Sequence, residues 1–147
     1  MKKLLRILLL ATCLCIPTII SSAWADDDGT ITINGLVWLK DAGCLGSATW
    51  DGSQIAVASL ASGQCGLTDK STAGQWRLPT APELYAIYLH RSSFSSVNRS
   101  VPYWSSTTPL ANSQNRAYIL YMANRTQTTA DKSKSFYILP VRVNHGR

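Results

Sequence analysis

The sequence predicts an α+β domain in which short strands and turns alternate with two short helices and one disulfide fastens the chain. Three observations lead there. Asn34-Gly35 lies between two short apolar runs, the signal of a tight hairpin whose turn positions need positive φ. Two segments, one from Trp50 and one after Thr80, space their apolar residues for a helix face. Once a leader is set aside, only Cys44 and Cys65 remain to form a bridge.

The leader comprises residues 1–25. Lys2, Lys3 and Arg6 supply a positive start, Leu4 to Ile20 is mainly apolar, and Ala23-Trp24-Ala25 offers small residues for cleavage. An uncleaved anchor is disfavoured by the shortness of the run and by Pro17. A lipoprotein would need a small residue before its modified cysteine, whereas Cys13 follows Thr12 and Cys15 follows Leu14. Residues 26–147 then form one domain, enough for one core and too few for two. Cys13 and Cys15 leave with the leader, and two cysteines in an exported chain read as a disulfide. A reactive thiol or a metal ligand is the alternative, but CxxC spacing and a histidine partner are absent.

The domain starts with DDDGTITINGLVWLKD, where Ile31 and Ile33 alternate and Leu36 to Leu39 follow the Asn-Gly turn. In TWDGSQIAVASLASG, Trp50, Val57 and Leu60 share a stripe and Gly63 is placed to end the helix. Gly63 to Gly74 is rich in glycine, serine, threonine and aspartate, and is expected as an exposed loop pinned by Cys65.

The densest stretch is GQWRLPTAPEL, Gly74 to Leu84. Trp76 and Leu78 alternate as in a strand, and Pro79 lacks the N–H that would continue a ladder. Thr80 and Glu83 have capping-box spacing, and Pro82 is tolerated in a first turn. Leu84, Ile87 and Tyr88 make the inward face. Every residue except Arg77 thus has a structural role, and Glu83 reads as a cap rather than a catalytic acid.

Farther on, VPYWSSTTP reads as a short strand with a buried aromatic pair. RAYILYM alternates Ala117, Ile119 and Tyr121 against Tyr118, Leu120 and Met122, and SFYILPVRV closes the domain. Pro140 makes the last strand an edge or a bulge. Trp38, Trp50, Trp76 and Trp104 sit singly in apolar segments, as core residues do, rather than as a sugar-stacking platform. Ser105-Ser106-Thr107 is expected to complete backbone hydrogen bonds, since no GxSxG surrounds it.

GLVWLKDAGC (35–44), SGQCGLTDKSTAGQWRLPTAPEL (62–84), YWSST (103–107) and YILPVR (137–142) resemble the Lcl C-terminal domain family, named for the end of a bacterial collagen-like adhesin. The resemblance runs from Gly29 to Val143. It implies a C-type-lectin-like fold, similar to that of formylglycine-generating enzymes, with two short helices, small antiparallel sheets, long loops and neighbouring chain ends. The namesake domain is associated with adhesion to sulfated glycosaminoglycans and with trimer formation beneath a collagen-like stalk. The resemblance therefore admits a homo-oligomer here, although the sequence has no Gly-X-Y run.

The chemistry of related folds does not transfer to these residues. Formylglycine-generating enzymes use a late cysteine pair, and no cysteine follows Cys65. Calcium lectins use Glu-Pro-Asn or Gln-Pro-Asp and Trp-Asn-Asp segments, which are missing. Calcium needs several oxygen ligands, and the only carboxylate side chain after Glu83 is Asp131. Asp26, Asp27 and Asp28 read as a solvated N-terminus, and His90 and His145 as surface or helix-end residues. With no matched acids, bases or nucleophiles, no enzyme, cofactor or metal is expected.

Charge is divided unevenly along the chain. Residues 26–83 carry seven carboxylates against Lys40, Lys70 and Arg77, a net −4. From Leu84 onward eight cations face Asp131 alone, a net +7. Six of the eight are arginines, whose planar fork suits sulfate, phosphate or carboxylate. Arg91, Arg99, Arg116, Arg125, Lys132 and Lys134 are the expected polyanion-binding residues, while Arg142, inside YILPVR, is expected to pair structurally. Export, to the periplasm or the cell surface, makes an anionic polysaccharide or cell-surface glycan the expected partner rather than nucleic acid, with no membrane insertion once the leader is removed. The alternative is a periplasmic or surface structural component that binds another protein.

Overall fold

The computed structural model describes residues 27–145, so the expected leader and Asp26 lie outside the described residues. The chain is α+β, with two short helices, two small sheets, long loops and one disulfide. Strands β1 (Thr30–Ile33) and β2 (Leu36–Leu39) form the antiparallel hairpin. Its turn residues Asn34 and Gly35 take φ of 52° and 77°, the left-handed conformations a two-residue turn requires. The last strand, β8 (Val141–Val143), lies on the other side of β2, so the two ends of the described chain share one sheet.

The second sheet orders its strands β3 (Ser47–Ala48), β7 (Phe136–Tyr137), β4 (Tyr103–Trp104), β5 (Arg116–Leu120) and β6 (Gln127–Asp131). It is mixed rather than purely antiparallel, because β4 and β7 run parallel where Tyr103 faces Tyr137. SFYILPVRV also departs from expectation. It is two strands in two sheets, and the chain crosses between them at Ile138-Leu139-Pro140. Pro140, which has no N–H to lose, sits at the crossing and accepts from the Leu39 N–H at 3.2 Å.

Three apolar clusters fill the space around the sheets. Trp38, Leu84, Ile87, Phe94, Tyr103, Leu120 and Val141 form the central one. Alternate residues of β2, Val37 and Leu39, point away from it and pack with Leu60, Leu67 and Trp76. Likewise Ala117 and Ile119 of β5 face a third cluster with Val57, Leu78, Trp104 and Ile138. Both faces of β5 are thus buried, which explains why RAYILYM is apolar at every second and every adjacent position.

Helix α1 (Trp50–Ser59) is capped by Thr49, whose Oγ1 accepts from the Gly52 N–H at 3.2 Å. It ends earlier than expected. Leu60 turns extended as the C-cap and buries its side chain against Val37 and Leu39, while Gly63, at φ 95°, shapes the following turn. Helix α2 (Ala81–Ile87) continues into a 3₁₀ turn, Tyr88–Ser93, which no sequence signal announces. The Cys44–Cys65 disulfide joins the loop after β2 to the loop after α1, as expected.

Trp38, Trp76 and Trp104 are buried in the three clusters and Trp50 is partly buried, so the tryptophans are core rather than platform. Three indole N–H groups have acceptors: Trp50 at Ser105 O, Trp76 at Ser71 Oγ and Trp104 at Ala48 O.

Candidate anion-binding surface

Arg77, the residue without an expected role, has one. Its Nη1 and Nη2 each donate at 2.8 Å to a different oxygen of Glu83, and Nη1 also donates to Leu78 O at 3.1 Å. Glu83 Oε2 accepts from the Thr80 N–H at 2.8 Å, and Thr80 Oγ1 accepts from the Glu83 N–H at 3.4 Å, closing the capping box. The Arg77 hydrogen bonds, above all, hold the Glu83 carboxyl below the usual carboxylate range. An ionised, fully bonded carboxylate is the wrong form for a general acid.

The neighbouring motif locks onto the same helix end. Ser106 N–H and Oγ donate to Pro79 O at 2.7 and 3.2 Å, and Thr107 Oγ1 accepts from the Ala81 N–H at 2.9 Å. One orphan donor of the α2 N-terminus is thereby satisfied. Asp27 pairs with Lys40, and Asp28 Oδ1 accepts from Thr30 N at 3.1 Å, so both acids tie down the start of β1 instead of standing free. Arg142 pairs as expected: its Nη2 lies 3.0 Å from Oδ2 of Asp69, whose side chain is fully buried.

The six expected binding cations divide into separate places. Arg91, on the 3₁₀ turn, stacks over the Tyr88 ring at 4.1 Å and donates to Tyr88 O at 3.0 Å. Arg125, at the turn between β5 and β6, lies 4.0 Å over Tyr85 and 5.7 Å from the Tyr88 ring centre. Sharing one ring, the two guanidinium groups stand within about 10 Å of each other, the reach of two cation–π contacts laid end to end. Neither has a carboxylate partner among the described residues.

At the opposite end of the same hairpin, Arg116 faces Asp131 in register. Its Nη1 lies 3.5 Å from Asp131 Oδ1, and its Nε and Nη2 donate to Thr129, so folding already employs much of this side chain. Lys132 Nζ sits 3.8 Å over the Trp50 ring and donates to Ser113 O at 2.9 Å. Lys134, two residues on, and Arg99, in the loop before β4, are exposed. The structure therefore joins Arg91 to Arg125 and places Arg116 next to the strand end that leads into Lys132.

Tyr85 and Tyr88 were missed as members of the site. Their signal was present: Tyr85, Tyr88 and Arg91 recur every third residue, the spacing at which side chains on a helical segment meet.

A family model, the Lcl C-terminal domain, matches residues 30–142. The chain belongs to the Lcl C-terminal domain family. Comparison with curated proteins finds no match. Within this Lcl C-terminal domain, the stretches that resemble the family hold Arg77 and Arg142, each neutralised by a carboxylate. Arg91, Arg99, Arg116, Arg125, Lys132 and Lys134 all lie outside those stretches. His90 and His145 are exposed, and among the described residues no group of three or more His, Cys, Asp or Glu side chains could hold a metal ion. No helix among them is long and apolar enough to cross a membrane.

Proposed function

We propose that this protein is an exported, non-enzymatic binding domain that recognises sulfated or phosphorylated glycans or other anionic cell-surface polymers, in an adhesin-like role on a C-type-lectin-like scaffold. The observation that carries this reading is the Arg91–Tyr88–Arg125–Tyr85 group. Stacking on tyrosine holds two guanidinium groups in place, and no carboxylate among the described residues neutralises them. Their forks keep free N–H donors for an oxyanion.

A polymer fits better than a small anion. Arg125 at one end and Arg116 and Lys132 at the other bracket the β5–β6 hairpin, about 17 Å apart at the rise of an extended strand. A single phosphate reaches one end, whereas a chain of repeated anions engages both, and the second contact gains from the first. The disulfide supports an oxidising compartment, where sulfated and phosphorylated glycans are met and nucleic acid is not.

Retention on a heparin column tests the reading, with a neutral polysaccharide column beside it. Binding is expected at low salt and should fail as the screening length shrinks from about 10 Å at 0.1 M to about 3 Å at 1 M. No retention of the residue 26–147 protein by heparin or any phosphorylated polymer at low salt would refute it.

A further inference from the structure

The outer strands of the two sheets differ in how well their edges are closed. Strand β3 has two residues and β1 four, while β8 exchanges hydrogen bonds of 2.9 and 3.0 Å with Arg77 beyond its pairing with β2. Strand β6, at five residues, is the longest of these edges. Its register with β5 is unbroken over five pairs, so no bulge turns it away, and QTTAD contains no proline or lysine. The usual guards against strand addition are therefore missing.

The ladder decides which backbone groups face outward. Tyr121 N–H donates to Thr126 O at 2.9 Å and Lys132 N–H to Asn115 O at 2.8 Å, so Thr126, Thr128, Ala130 and Lys132 are the residues turned toward β5. Gln127, Thr129 and Asp131 turn their N–H and C=O groups the other way, where the sheet order has no further strand. Two of these three carbonyls are engaged: Thr129 O accepts from Arg116 Nη2 at 2.6 Å, and Asp131 O from the Lys134 N–H at 3.0 Å. The three N–H groups have no acceptor among the described residues. The edge is thus a row of donors about 6.8 Å apart, two residues of extended strand.

The chemistry of the occupant follows from that row and its ends. An extended peptide presents carbonyls along one edge at the same two-residue repeat. Arg125 precedes β6, Lys132 and Lys134 follow it, and the acid inside it, Asp131, has Arg116 Nη1 at 3.5 Å. Carboxylates at the ends of the incoming strand would complement these cations. We propose that β6 is the docking edge for an extended acidic peptide of a partner protein, which adds a sixth strand through the N–H groups of Gln127, Thr129 and Asp131 and sets carboxylates beside Arg125 and Lys132. The engaged carbonyls keep a second lone pair for the return bonds. A second copy suits the edge less well, because antiparallel pairing of β6 with itself brings Arg125 of each chain toward Lys132 and Lys134 of the other. Backbone donors, not the arginine–tyrosine group, form the core of this site, so peptide docking and heparin retention can fail separately.

The test is an NMR titration of the 15N-labelled residue 26–147 protein with the synthetic peptide acetyl-Glu-Thr-Val-Thr-Val-Thr-Glu-amide. The amides of Gln127, Thr129 and Asp131 should move downfield, saturate and become protected from hydrogen exchange, while those of Thr128 and Ala130, already bonded to β5, change little. The same peptide N-methylated at every Thr and Val keeps its charge and should not bind. Replacing its two Glu by Lys should weaken binding roughly tenfold or more. Thr129→Pro removes an outward N–H, which an edge strand tolerates, and should weaken binding of the parent peptide to a similar extent with the fold intact. Should that variant fail to fold, the N-methylated peptide makes the same test on the unaltered protein. Absence of a saturable shift would overturn the proposal, as would equal binding of the N-methylated or Lys peptide, or shifts that ignore the alternation. Protection of the three amides in the free protein that rises with its concentration would also overturn it, by assigning the edge to a second copy.

Discussion

The Gly74–Leu84 stretch and the Arg91–Arg125 group contain similar side chains and use them in opposite ways. In the first, Arg77 meets Glu83 through two hydrogen bonds, Glu83 also caps α2, and the neighbouring serine and threonine complete the same helix end. In the second, two arginines lie on tyrosine rings with no carboxylate partner among the described residues. The conspicuous motif is thus architecture, and the unremarkable basic tail supplies the free charge. An arginine indicates a binding site only after its local partners have been counted.

The comparison breaks most severely where a charge pair is buried. Asp69→Ala should cost about 3–5 kcal/mol, because it leaves the Arg142 guanidinium facing an empty buried position. Urea unfolding would measure it; a loss under 1 kcal/mol would mean that the pair contributes little. Reduction of Cys44–Cys65, whose partners are 21 residues apart, should cost about 3 kcal/mol in the chain-entropy model. Thermal unfolding with and without reductant is the check, and an unchanged midpoint would contradict it.

Smaller effects sharpen the distinction. Thr80→Ala should cost about 1 kcal/mol, as lost caps usually do, with heparin retention unchanged. A variant equally stable but unable to bind would return the motif to the functional side. Glu83→Gln keeps a capping-box side chain and removes the charge opposite Arg77, so its cost should stay under about 1 kcal/mol for this partly exposed pair. It should also change the acid limb. Because the folded-state pKa of Glu83 is lowered, its stabilisation is complete above the unfolded value, near 4.3, and is lost as pH falls through the lower folded value. The variant should lack that component between pH 4 and more acidic conditions; parallel stability curves would contradict it.

Local signals were legible wherever neighbours in sequence are neighbours in space. The Asn34-Gly35 turn, the Thr80–Glu83 box and the disulfide were all readable because turn chemistry, helix spacing and cysteine count act at short range or by elimination. What escaped depends on distant partners. Strand β6, QTTAD, has no apolar alternation and exists because β5 offers it a full ladder. The change of sheet at Ile138–Pro140 is set by where β2 and β4 lie. Arg116 appeared free in the sequence and is neutralised by Asp131, fifteen positions away, only through hairpin register. The orphan indole of Trp38 has no sequence signature at all.

The most direct test compares two double variants with equal loss of charge. Arg91→Gln with Arg125→Asn removes the stacked pair, asparagine being chosen because Arg125 has φ 64°. Lys70→Asn with Arg77→Gln removes two cations from the acidic half and likewise respects a φ of 61° at Lys70. Both should remain folded, since the partly exposed cation–π contacts and the partly exposed Arg77–Glu83 pair are each worth only about 1 kcal/mol, and urea unfolding of each variant checks it. On heparin, the Arg91/Arg125 variant is expected to elute at clearly lower salt than the parent, and the Lys70/Arg77 variant close to it. Equal shifts in both would show that net charge alone governs retention and would contradict a binding site at the arginine–tyrosine group.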